Sequence, residues 1–372
     1  MGQFKLPPIS PLIGSTIPSY WGTIKDRKIE KKHRLKVVLT TIVVLISNLF
    51  QWYEKIYFNL RQRKFKLQND PIFIIGHWRT GTTFLHNIMS QDKQMGYVTT
   101  YQTVFPNNLL SKFIFRTFMK VHIPKTRPGD NVKLSVNYPQ EDEFALSNIN
   151  PLNYYQYMYF PMYYQDYYDK YIRFENMSDP TYNRWKQDYK RMVMKAMINT
   201  GRDIPLLKNP CTTGRIKVML ELYPDAKFIF IIRNPVIVFL SSKKFFSELL
   251  PTLWFHSLEE EDLEEMIFNI YDSLIHDYLE QKSLIPEKNL IEIKFDEYET
   301  DPLYFLQKVY HDFSLPKFEE AKPHFANYIS NQSGYKKNKY VISKELLRRI
   351  IDRWGFSMEL WDYSIPENVE VK

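Results

Sequence analysis

The residues best suited to chemistry lie near the start of the chain, where an apolar run ends at a glycine-containing loop. The run, residues 72–75, is followed by Gly76, and a second glycine, Gly81, comes five positions later. A stretch without helix breakers begins at Thr82. This order predicts a strand, a short loop and a helix. Loop N–H groups and the positive end of the helix dipole would meet at one point, which suits a phosphate or sulfate group.

The basic residue of this loop differs from that of a nucleoside triphosphatase. The spacing Gly76-x4-Gly81 matches a nucleotide phosphate loop, in which a lysine follows the second glycine. This sequence has Thr82 there, and its basic residue is Arg79, inside the loop. The loop is therefore expected to bind an anion other than a magnesium-bound triphosphate, which weighs against a kinase-like phosphotransferase.

Two further basic residues follow apolar runs in the same way. The run at residues 227–232 ends at Arg233, about 150 residues after the loop, and Ser241 comes eight positions after that arginine. Lys208 ends a shorter run at residues 204–208. Each of these cations is therefore predicted to stand where a strand ends.

The elements that must position these side chains alternate along the chain. Four strand candidates are separated by helical stretches, and they are residues 72–75, 204–208, 227–232 and 290–295. This alternation predicts an α/β fold with a P-loop-like parallel sheet of about five strands and helices on both faces. Ligands bind beyond the carboxyl ends of the strands in such sheets, and Arg79, Lys208 and Arg233 would lie at those ends.

We predict an N-terminal extension at residues 1–65 and an α/β domain at residues 66–372. The extension begins irregularly and then forms one long amphipathic helix over residues 33–65, with apolar positions at helical spacing. That spacing favours a helix packed on the core. Residues 35–50 are too short and too polar to span a membrane. The basic run at residues 25–36 nevertheless leaves a peripheral membrane contact open.

Composition narrows the classes of partner and compartment. The chain has 372 residues, a net charge of +8 and 16% aromatic residues. A basic balance favours anionic partners, but the sequence shows no nucleic-acid-binding motif. The single cysteine, Cys211, excludes an internal disulfide, and together with the lack of an apparent signal peptide it favours the reducing cytoplasm. No Cys/His cluster has metal-ligand spacing, so we expect no metal cofactor.

Together, the loop and the segment at Arg233 resemble the sulfotransferases that use 3′-phosphoadenosine-5′-phosphosulfate (PAPS). The sequence is similar above all to a bacterial-type branch with the motifs Gly-His-Trp-Arg-Thr-Gly-Thr-Thr, here residues 76–83, and Pro-Gln-Glu-Asp-Glu-Phe-Ala-Leu, here residues 139–146. The resemblance covers about residues 70–345. It implies an O-sulfotransferase (EC 2.8.2.-) that transfers the sulfuryl group of PAPS to a hydroxyl, leaving 3′-phosphoadenosine-5′-phosphate (PAP) and needing no metal.

The resemblance also implies roles for residues at both ends of the donor. The 5′ phosphosulfate would be bound by the loop residues Arg79, Thr80, Gly81, Thr82 and Thr83. Arg79 would contact the oxygen that bridges phosphate and sulfate, and Phe84 would stack on adenine. Arg233 and Ser241 would bind the 3′ phosphate, and Lys208 would lie near the sulfate as a second catalytic cation.

The general base is a separate question. Many members of the family have a histidine shortly after the lysine that corresponds to Lys208, and this sequence has none there. The best replacements are the acids of the Pro-Gln-Glu-Asp-Glu segment, of which we favour Glu141, with Glu143 second. Acids at a helix start also stabilise the helix dipole without any catalytic role. His77, in the loop, is a further candidate, either for a structural role or for the base.

The predicted acceptor is a small hydroxylated molecule. The aromatic, basic composition and the tyrosine-rich residues 153–171 favour a hydrophobic alcohol such as a sterol, steroid or lipid. A sulfotransferase for carbohydrate or tyrosine hydroxyls, a P-loop phosphotransferase and a non-catalytic nucleotide- or membrane-binding protein are the alternatives. The C-terminal Gly/Lys segment that closes the nucleotide site in relatives has a loose counterpart at residues 333–337. The oligomeric state is left open.

Overall fold

The computed structural model describes residues 9–124, 126, 134–332 and 340–372. The predicted counterpart of the family's C-terminal Gly/Lys segment, residues 333–337, lies outside these described residues. The α-helices of the described part, numbered α1 to α16 in chain order, are Ile17–Ile24, Arg34–Asn48, Gln51–Gln62, Thr82–Met89, Thr100–Val104, Lys112–His122, Asp142–Ile149, Tyr164–Tyr171, Asp179–Thr200, Ile216–Leu222, Pro235–Leu253, Glu260–Gln281, Phe295–Thr300, Pro302–Asp312, Phe318–Ser330 and Lys344–Leu360. The strands, β1 to β7, are Ile72–Ile75, Met95–Gly96, Ile204–Lys208, Lys227–Ile232, Leu290–Lys294, Tyr340–Ile342 and Val369–Val371.

Five of the strands form one parallel sheet in the order β2–β3–β1–β4–β5. β1 pairs with β4 so that Ile72 lies opposite Lys227, and β4 pairs with β5 so that Phe228 lies opposite Leu290. All residues of β1 and β3 are buried, as expected for strands covered on both faces. The predicted α/β fold with a P-loop-like parallel sheet and N-terminal helices is thereby confirmed. β2 was not predicted, because two residues carry no periodic signal.

Contacts between residues divide the chain into two compact units. The described residues of the first unit fall in 1–69, 96–207 and 245–260, and those of the second in 70–95, 208–244 and 261–372. The described part of the predicted extension, residues 9–65, therefore belongs to the same unit as residues 96–207.

Each unit has an aromatic core of its own. In the first unit Trp185 and Tyr189, both fully buried, stack with ring centroids 5.2 Å apart. In the second unit Phe239, Phe268 and Trp354 are fully buried, and the two phenyl rings stack at 4.5 Å. The second unit also contains the two-stranded parallel sheet β6–β7, in which Tyr340 pairs with Val369.

The N-terminal helical region differs from the prediction in two respects. Two helices, α2 and α3, replace the single helix predicted over residues 33–65, and they meet at a bend of 55°. The break follows Ser47 and Asn48, whose side chains both donate to the carbonyl oxygen of Val44 and to carbonyls of the preceding segment, in competition with the helical backbone pattern. The apolar positions were expected to face the core, but most of them are exposed.

No single helix within the described residues has the length and apolar character needed to cross a bilayer. The bent pair Lys31–Asn48 and Gln51–Gln62 meets those criteria only when its two members are taken together.

Candidate active site

The loop between β1 and α4 contains three residues with positive φ angles. Gly76 and Gly81 have φ angles of +137° and +103°, which side chains rarely tolerate. A Cβ atom on Gly81 would also overlap the ring of Phe295. Arg79 has φ +70°, an uncommon value for a residue with a side chain and one often found at functional sites. The turn is closed by Thr80, whose N–H and hydroxyl both donate to the His77 carbonyl.

A lysine joins the N-terminus of α4. The N–H groups of the first turn have no acceptor within the helix, and the helix dipole adds positive potential there. Lys208, at the end of β3 and only 2% exposed, places its Nζ 3.3 Å from Thr83 Oγ1 in that first turn. The Gly76 N–H donates to Thr213 Oγ1 at 2.8 Å, which anchors the start of the loop. The arrangement can hold an anion between backbone donors and an ammonium group.

The two arginines and the serine singled out in the sequence form a second cationic cluster. Arg79 Nε donates to Ser241 Oγ at 2.9 Å, and Arg233 Nη1 donates to the Arg79 carbonyl at 2.8 Å. The Arg233 guanidinium also lies 4.3 Å from the centre of the Phe295 ring, which holds its plane in place. The resemblance assigned Arg79 and Ser241 to opposite ends of the donor, but here their side chains are in contact. A role for Arg79 at the bridging oxygen stays a prediction.

This cluster lines a cavity of about 550 Å³ in the second unit. The lining residues are Arg79, Arg233, Asn234, Ile237, Ser241, Asp296, Tyr340, Tyr363, Pro366, Glu367 and Asn368. Sequence reasoning found three of these and missed the rest. Asp296 could have been found, because it directly follows the predicted strand at residues 290–295. The C-terminal residues follow no motif that would have marked them.

Donors and acceptors both face this cavity. Burial raises the pKa of the Tyr363 phenol, and neighbouring acids add to the shift, so the hydroxyl stays protonated and able to donate. The carboxylates of Asp296 and Glu367 can accept hydrogen bonds from hydroxyl or amino groups. With Arg79 and Arg233 beside them, the lining suits a ligand that carries both an anionic group and neutral polar groups.

Phe84, predicted to stack on adenine, is already part of an aromatic pair. Its half-buried ring stacks on Tyr298, with centroids 5.7 Å apart and planes at 28°. The Tyr298 hydroxyl donates to the Gly81 carbonyl at 3.1 Å, which ties this pair to the loop. Phe84 is not among the residues that line the 550 Å³ cavity.

The candidate acids belong to the first unit. Glu141 precedes α7 as its N-cap residue, but its side chain makes no capping hydrogen bond. Its carboxylate instead accepts from the Tyr155 phenol. Glu143 is fully buried, and its carboxylate accepts from the Tyr154 N–H at 2.8 Å. Glu143 therefore fixes the chain at the start of the tyrosine-rich stretch, whereas Glu141, 6% exposed, is slightly more accessible.

The tyrosine-rich stretch is part of the packed interior of the first unit. Its fully buried rings are Tyr154, Tyr155, Tyr157, Tyr159 and Phe160. The Tyr159 ring stacks on Phe255 with centroids 5.6 Å apart. The structure thus favours packing as the role of these residues.

His77 is held as a neutral side chain inside the second unit. Its Nδ1 donates to the Trp78 carbonyl at 2.8 Å, and its ring makes an edge contact with Tyr271 at 5.2 Å. Burial lowers the pKa of His77 to about 4. Such a weak, enclosed base suits a structural role in the loop better than proton abstraction.

Protonation of His77 is expected to destabilise the fold at acidic pH. Its pKa is about 4 in the folded state, against about 6.5 in an unfolded chain, so the unfolded state binds the proton first. The full stability contribution is present above pH 6.5, and it falls by about 3 kcal/mol as the pH drops toward 4. Urea denaturation between pH 7.5 and 4.5 measures this slope.

The variant His77→Asn should flatten that slope, because asparagine keeps an N–H donor but does not titrate. His276→Gln, a change of an exposed histidine, serves as the control and should keep the wild-type slope. An unchanged slope in His77→Asn would show that other groups cause the acid sensitivity.

Solved structures of two mycobacterial proteins share this fold. The sulfotransferase STF9 from Mycobacterium avium matches with a TM-score of 0.64 and 15% identity, over 92% of this chain and 89% of that one. The sulfotransferase STF1 from Mycobacterium tuberculosis H37Rv matches with a TM-score of 0.65 and 15% identity, over 90% of this chain and 89% of that one. At this identity the likeness concerns the fold alone.

Comparisons of sequence extend from the fold to the family. Omega-hydroxy-beta-dihydromenaquinone-9 sulfotransferase Stf3 from Mycobacterium bovis is 29% identical over 329 residues, which are 88% of this chain and 84% of the relative. The protein of the same name from Mycobacterium tuberculosis gives the same values. A model of the sulfotransferase family matches residues 71–320, from the first strand of the sheet to α15. The chain belongs to the sulfotransferase family.

Proposed function

We propose that this protein transfers the sulfuryl group of PAPS to the hydroxyl group of a lipid-like alcohol, giving a sulfate ester and PAP. The observation that carries this proposal is the pair of cationic sites in the second unit. One is the cluster of Arg79, Arg233 and Ser241 on the cavity, and the other is Lys208 at the start of α4. A donor with a phosphate at one end and a phosphosulfate at the other would use both.

The cavity suits the 3′-phosphoadenosine part of the donor. Its volume of about 550 Å³ falls within the range of sites for small molecules and cofactors. Arg233 and Ser241 would bind the 3′ phosphate, since the planar guanidinium group of an arginine matches phosphate oxygens. Asp296 and Glu367 would accept hydrogen bonds from neutral hydroxyl or amino groups of the nucleoside.

The other cationic site suits the reacting end of the donor. Sulfuryl transfer, like phosphoryl transfer, is an in-line displacement in which negative charge develops on the leaving phosphate. The N–H groups of Thr82 and Thr83 and the ammonium group of Lys208 would stabilise that charge. The catalytic contribution of the protein would then consist of positioning and electrostatic stabilisation by its own side chains and backbone.

The acceptor class is supported by the relative that is 29% identical to this chain. That protein is named for a hydroxylated dihydromenaquinone, a lipid with a free hydroxyl group. We extend only the class, a lipid-like alcohol, to this chain, with sterols and steroids as members of the class to be tested. A cytoplasmic location is part of the proposal, supported by the presence of a single cysteine, Cys211, which leaves no pair for an internal disulfide.

A screen with labelled PAPS tests the function directly. Hydroxylated isoprenoid lipids and sterols, dispersed in detergent, would be compared with oligosaccharides and tyrosine-containing peptides. We expect label in the lipid alcohols. Label only in glycans or peptides would refute the acceptor class, and phosphate transfer from ATP without any sulfuryl transfer would refute the reaction.

We further propose that Glu141 is the general base that removes the acceptor proton. The Glu141 side chain does not cap α7, and Glu141 is 6% exposed, against 0% for Glu143. Both carboxylates accept a hydrogen bond, from the Tyr155 phenol and the Tyr154 N–H respectively. Glu141→Gln is expected to lower kcat about 10²- to 10⁴-fold with little change in PAP affinity. Steady-state kinetics and calorimetry with PAP measure the two quantities.

Glu143→Gln is the matched control for this prediction. It makes the same chemical change two residues away, and we expect its main effect in thermal stability, because the Tyr154 N–H loses a charged acceptor. A larger loss of kcat in Glu143→Gln than in Glu141→Gln, at equal folded fraction, would reverse the assignment.

A further inference from the structure

The N-terminal helices α2 and α3 turn polar residues toward the interior of their unit. Thr40, Ser47, Gln51 and Glu54 are all buried. The Thr40 hydroxyl accepts from the Ser10 N–H at 2.9 Å, and the Ser47 hydroxyl donates to the Ile13 carbonyl at 3.0 Å. Glu54 forms an enclosed ion pair with Lys195, with Oε1 and Nζ 2.9 Å apart. The inner face of the helix pair is thus held by hydrogen bonds and an ion pair.

The opposite face of the same helices is apolar and exposed. Its residues, which we call the apolar stripe, are Leu35, Val38, Ile42, Leu45, Ile46, Leu49, Trp52, Ile56 and Leu60. Each is between 48% and 69% exposed. The positions recur every three or four residues, so they share one side of α2 and continue into α3. This is the reverse of the pattern of a helix on a water-exposed surface, and a contiguous apolar patch of this kind marks an interaction site.

Basic residues stand at both ends of the stripe. Residues 25–36 contain seven lysines and arginines against two acids, and Lys31, Lys32 and Arg34 at the start of α2 are exposed. The last turn of α3 and the residues after it add four more exposed basic residues, Arg61, Arg63, Lys64 and Lys66. A partner that covers the stripe must therefore be apolar in the middle and negatively charged at the edges.

We propose that the apolar stripe docks on the surface of a bilayer that contains anionic lipids, with α2 and α3 lying in the interface. The acyl region would cover the stripe, and lipid phosphates would meet the basic residues at its ends. Trp52, in the part of the stripe that lies on α3, is a residue type common at the level of the head groups. The inference does not depend on the acceptor proposed above.

Two other arrangements, a membrane-spanning helix pair and a dimer of the chain, fit the geometry less well. The 15 residues of α2 rise about 22 Å, short of the roughly 30 Å of a hydrocarbon core, and the inner face of the helix pair is engaged by its own unit. A spanning arrangement would have to break those contacts. A second copy of the chain would bring like charges together at both ends of the stripe, which disfavours association.

Sedimentation with vesicles of defined composition tests the proposal with the full chain. We expect the protein to bind vesicles of phosphatidylcholine and phosphatidylglycerol, to bind pure phosphatidylcholine more weakly, and to lose the difference at high salt. The triple variant Ile42→Ser/Leu45→Ser/Leu49→Ser should lower the partition coefficient on the mixed vesicles about 100-fold. These side chains are exposed, so circular dichroism and the thermal midpoint should stay close to those of the unchanged protein.

The control variant changes three exposed apolar residues of the second unit. Leu284, Tyr304 and Leu360 are 50%, 68% and 51% exposed, and their replacement by serine should leave vesicle binding unchanged. Equal loss in both triple variants, or no vesicle binding by the unchanged protein, would overturn the proposal. A different result would point to a second copy of the chain as the occupant. In that case the unchanged protein does not bind vesicles, and the stripe variant has a lower molar mass by light scattering than the unchanged protein.

Discussion

Lys208→Met is expected to lower kcat about 10²- to 10³-fold, while the affinity for PAP changes by no more than about threefold. The Lys208 ammonium is 2% exposed and lies 3.3 Å from Thr83 Oγ1, at the positive end of α4. In such an enclosed position a charge interacts strongly with charge that develops during the reaction. PAP lacks the sulfuryl group, so it does not reproduce the transition state, in which the leaving oxygen gains its charge. The loss should therefore appear in turnover and not in PAP affinity.

The control for this prediction is Lys243→Met in the same unit. Lys243 pairs with Glu264, with Nζ and Oε1 2.7 Å apart, and it does not line the cavity. Its loss removes the same charge from the unit without removing a cation from the start of α4, so kcat should stay close to that of the unchanged enzyme. Thr83→Val should fall between the two, because it removes only the hydroxyl that contacts Lys208. Parallel losses of kcat and PAP affinity in Lys208→Met would show that Lys208 anchors the nucleotide.

The parts of the site that lie on regular elements could be predicted from the sequence. An apolar run that ends in a glycine or a basic residue identifies both a strand and its carboxyl end, and in a parallel sheet those ends share one edge. This rule correctly indicated the loop after β1, Lys208 at the end of β3 and Arg233 after β4. The prediction needed only local patterns and one rule of topology.

The cavity-lining residues that could not be predicted from the sequence are brought to the cavity by pairing between residues distant in the chain. β6 and β7 have three residues each, and the whole of α16 lies between Tyr340 and its partner Val369 in the sequence. Three-residue strands carry too little periodicity to be recognised, and nothing local indicates that Tyr363 or Glu367 returns to Arg233. The left-handed conformation of Arg79 is equally invisible, since sequence patterns favour glycine at such positions.

The N-terminal helices show a different limit of prediction from the sequence. The apolar period of residues 35–60 correctly indicated helix and a single apolar side. Periodicity does not reveal what covers that side of the helix. The usual assumption is that the apolar side packs on the core of the same molecule. Here the polar side is buried and contacts the rest of the unit, above all through the ion pair between Glu54 and Lys195. The apolar side is exposed. Only the three-dimensional arrangement of the first unit shows which face is which.

Arg233→Ala is expected to weaken PAP binding about 10- to 100-fold, and to have a much smaller effect on adenosine 5′-phosphosulfate, which has no 3′ phosphate. A hydrogen bond between charged groups contributes about 1.5–3 kcal/mol, which corresponds to this range. The Arg233 guanidinium is held by the Arg79 carbonyl and by the Phe295 ring, so it is preorganised on the cavity wall. Arg233→Lys should recover little affinity, because an ammonium group cannot reproduce the planar arrangement of donors. Calorimetry with the two nucleotides measures the difference.

Arg353→Ala provides the control, since Arg353 is in the same unit but is paired with Asp272, with Nη2 and Oδ2 2.8 Å apart. It removes an equal charge and does not line the cavity, so PAP affinity should change little. If Arg353→Ala and Arg233→Ala weakened PAP equally, the effect would be one of net charge and not of contact. If Arg233→Ala weakened both nucleotides alike, the arginine would act by supporting the Arg79 turn, and the 3′ phosphate would have to bind elsewhere. Selective loss for the nucleotide with the 3′ phosphate is the result that ties the cavity to PAPS.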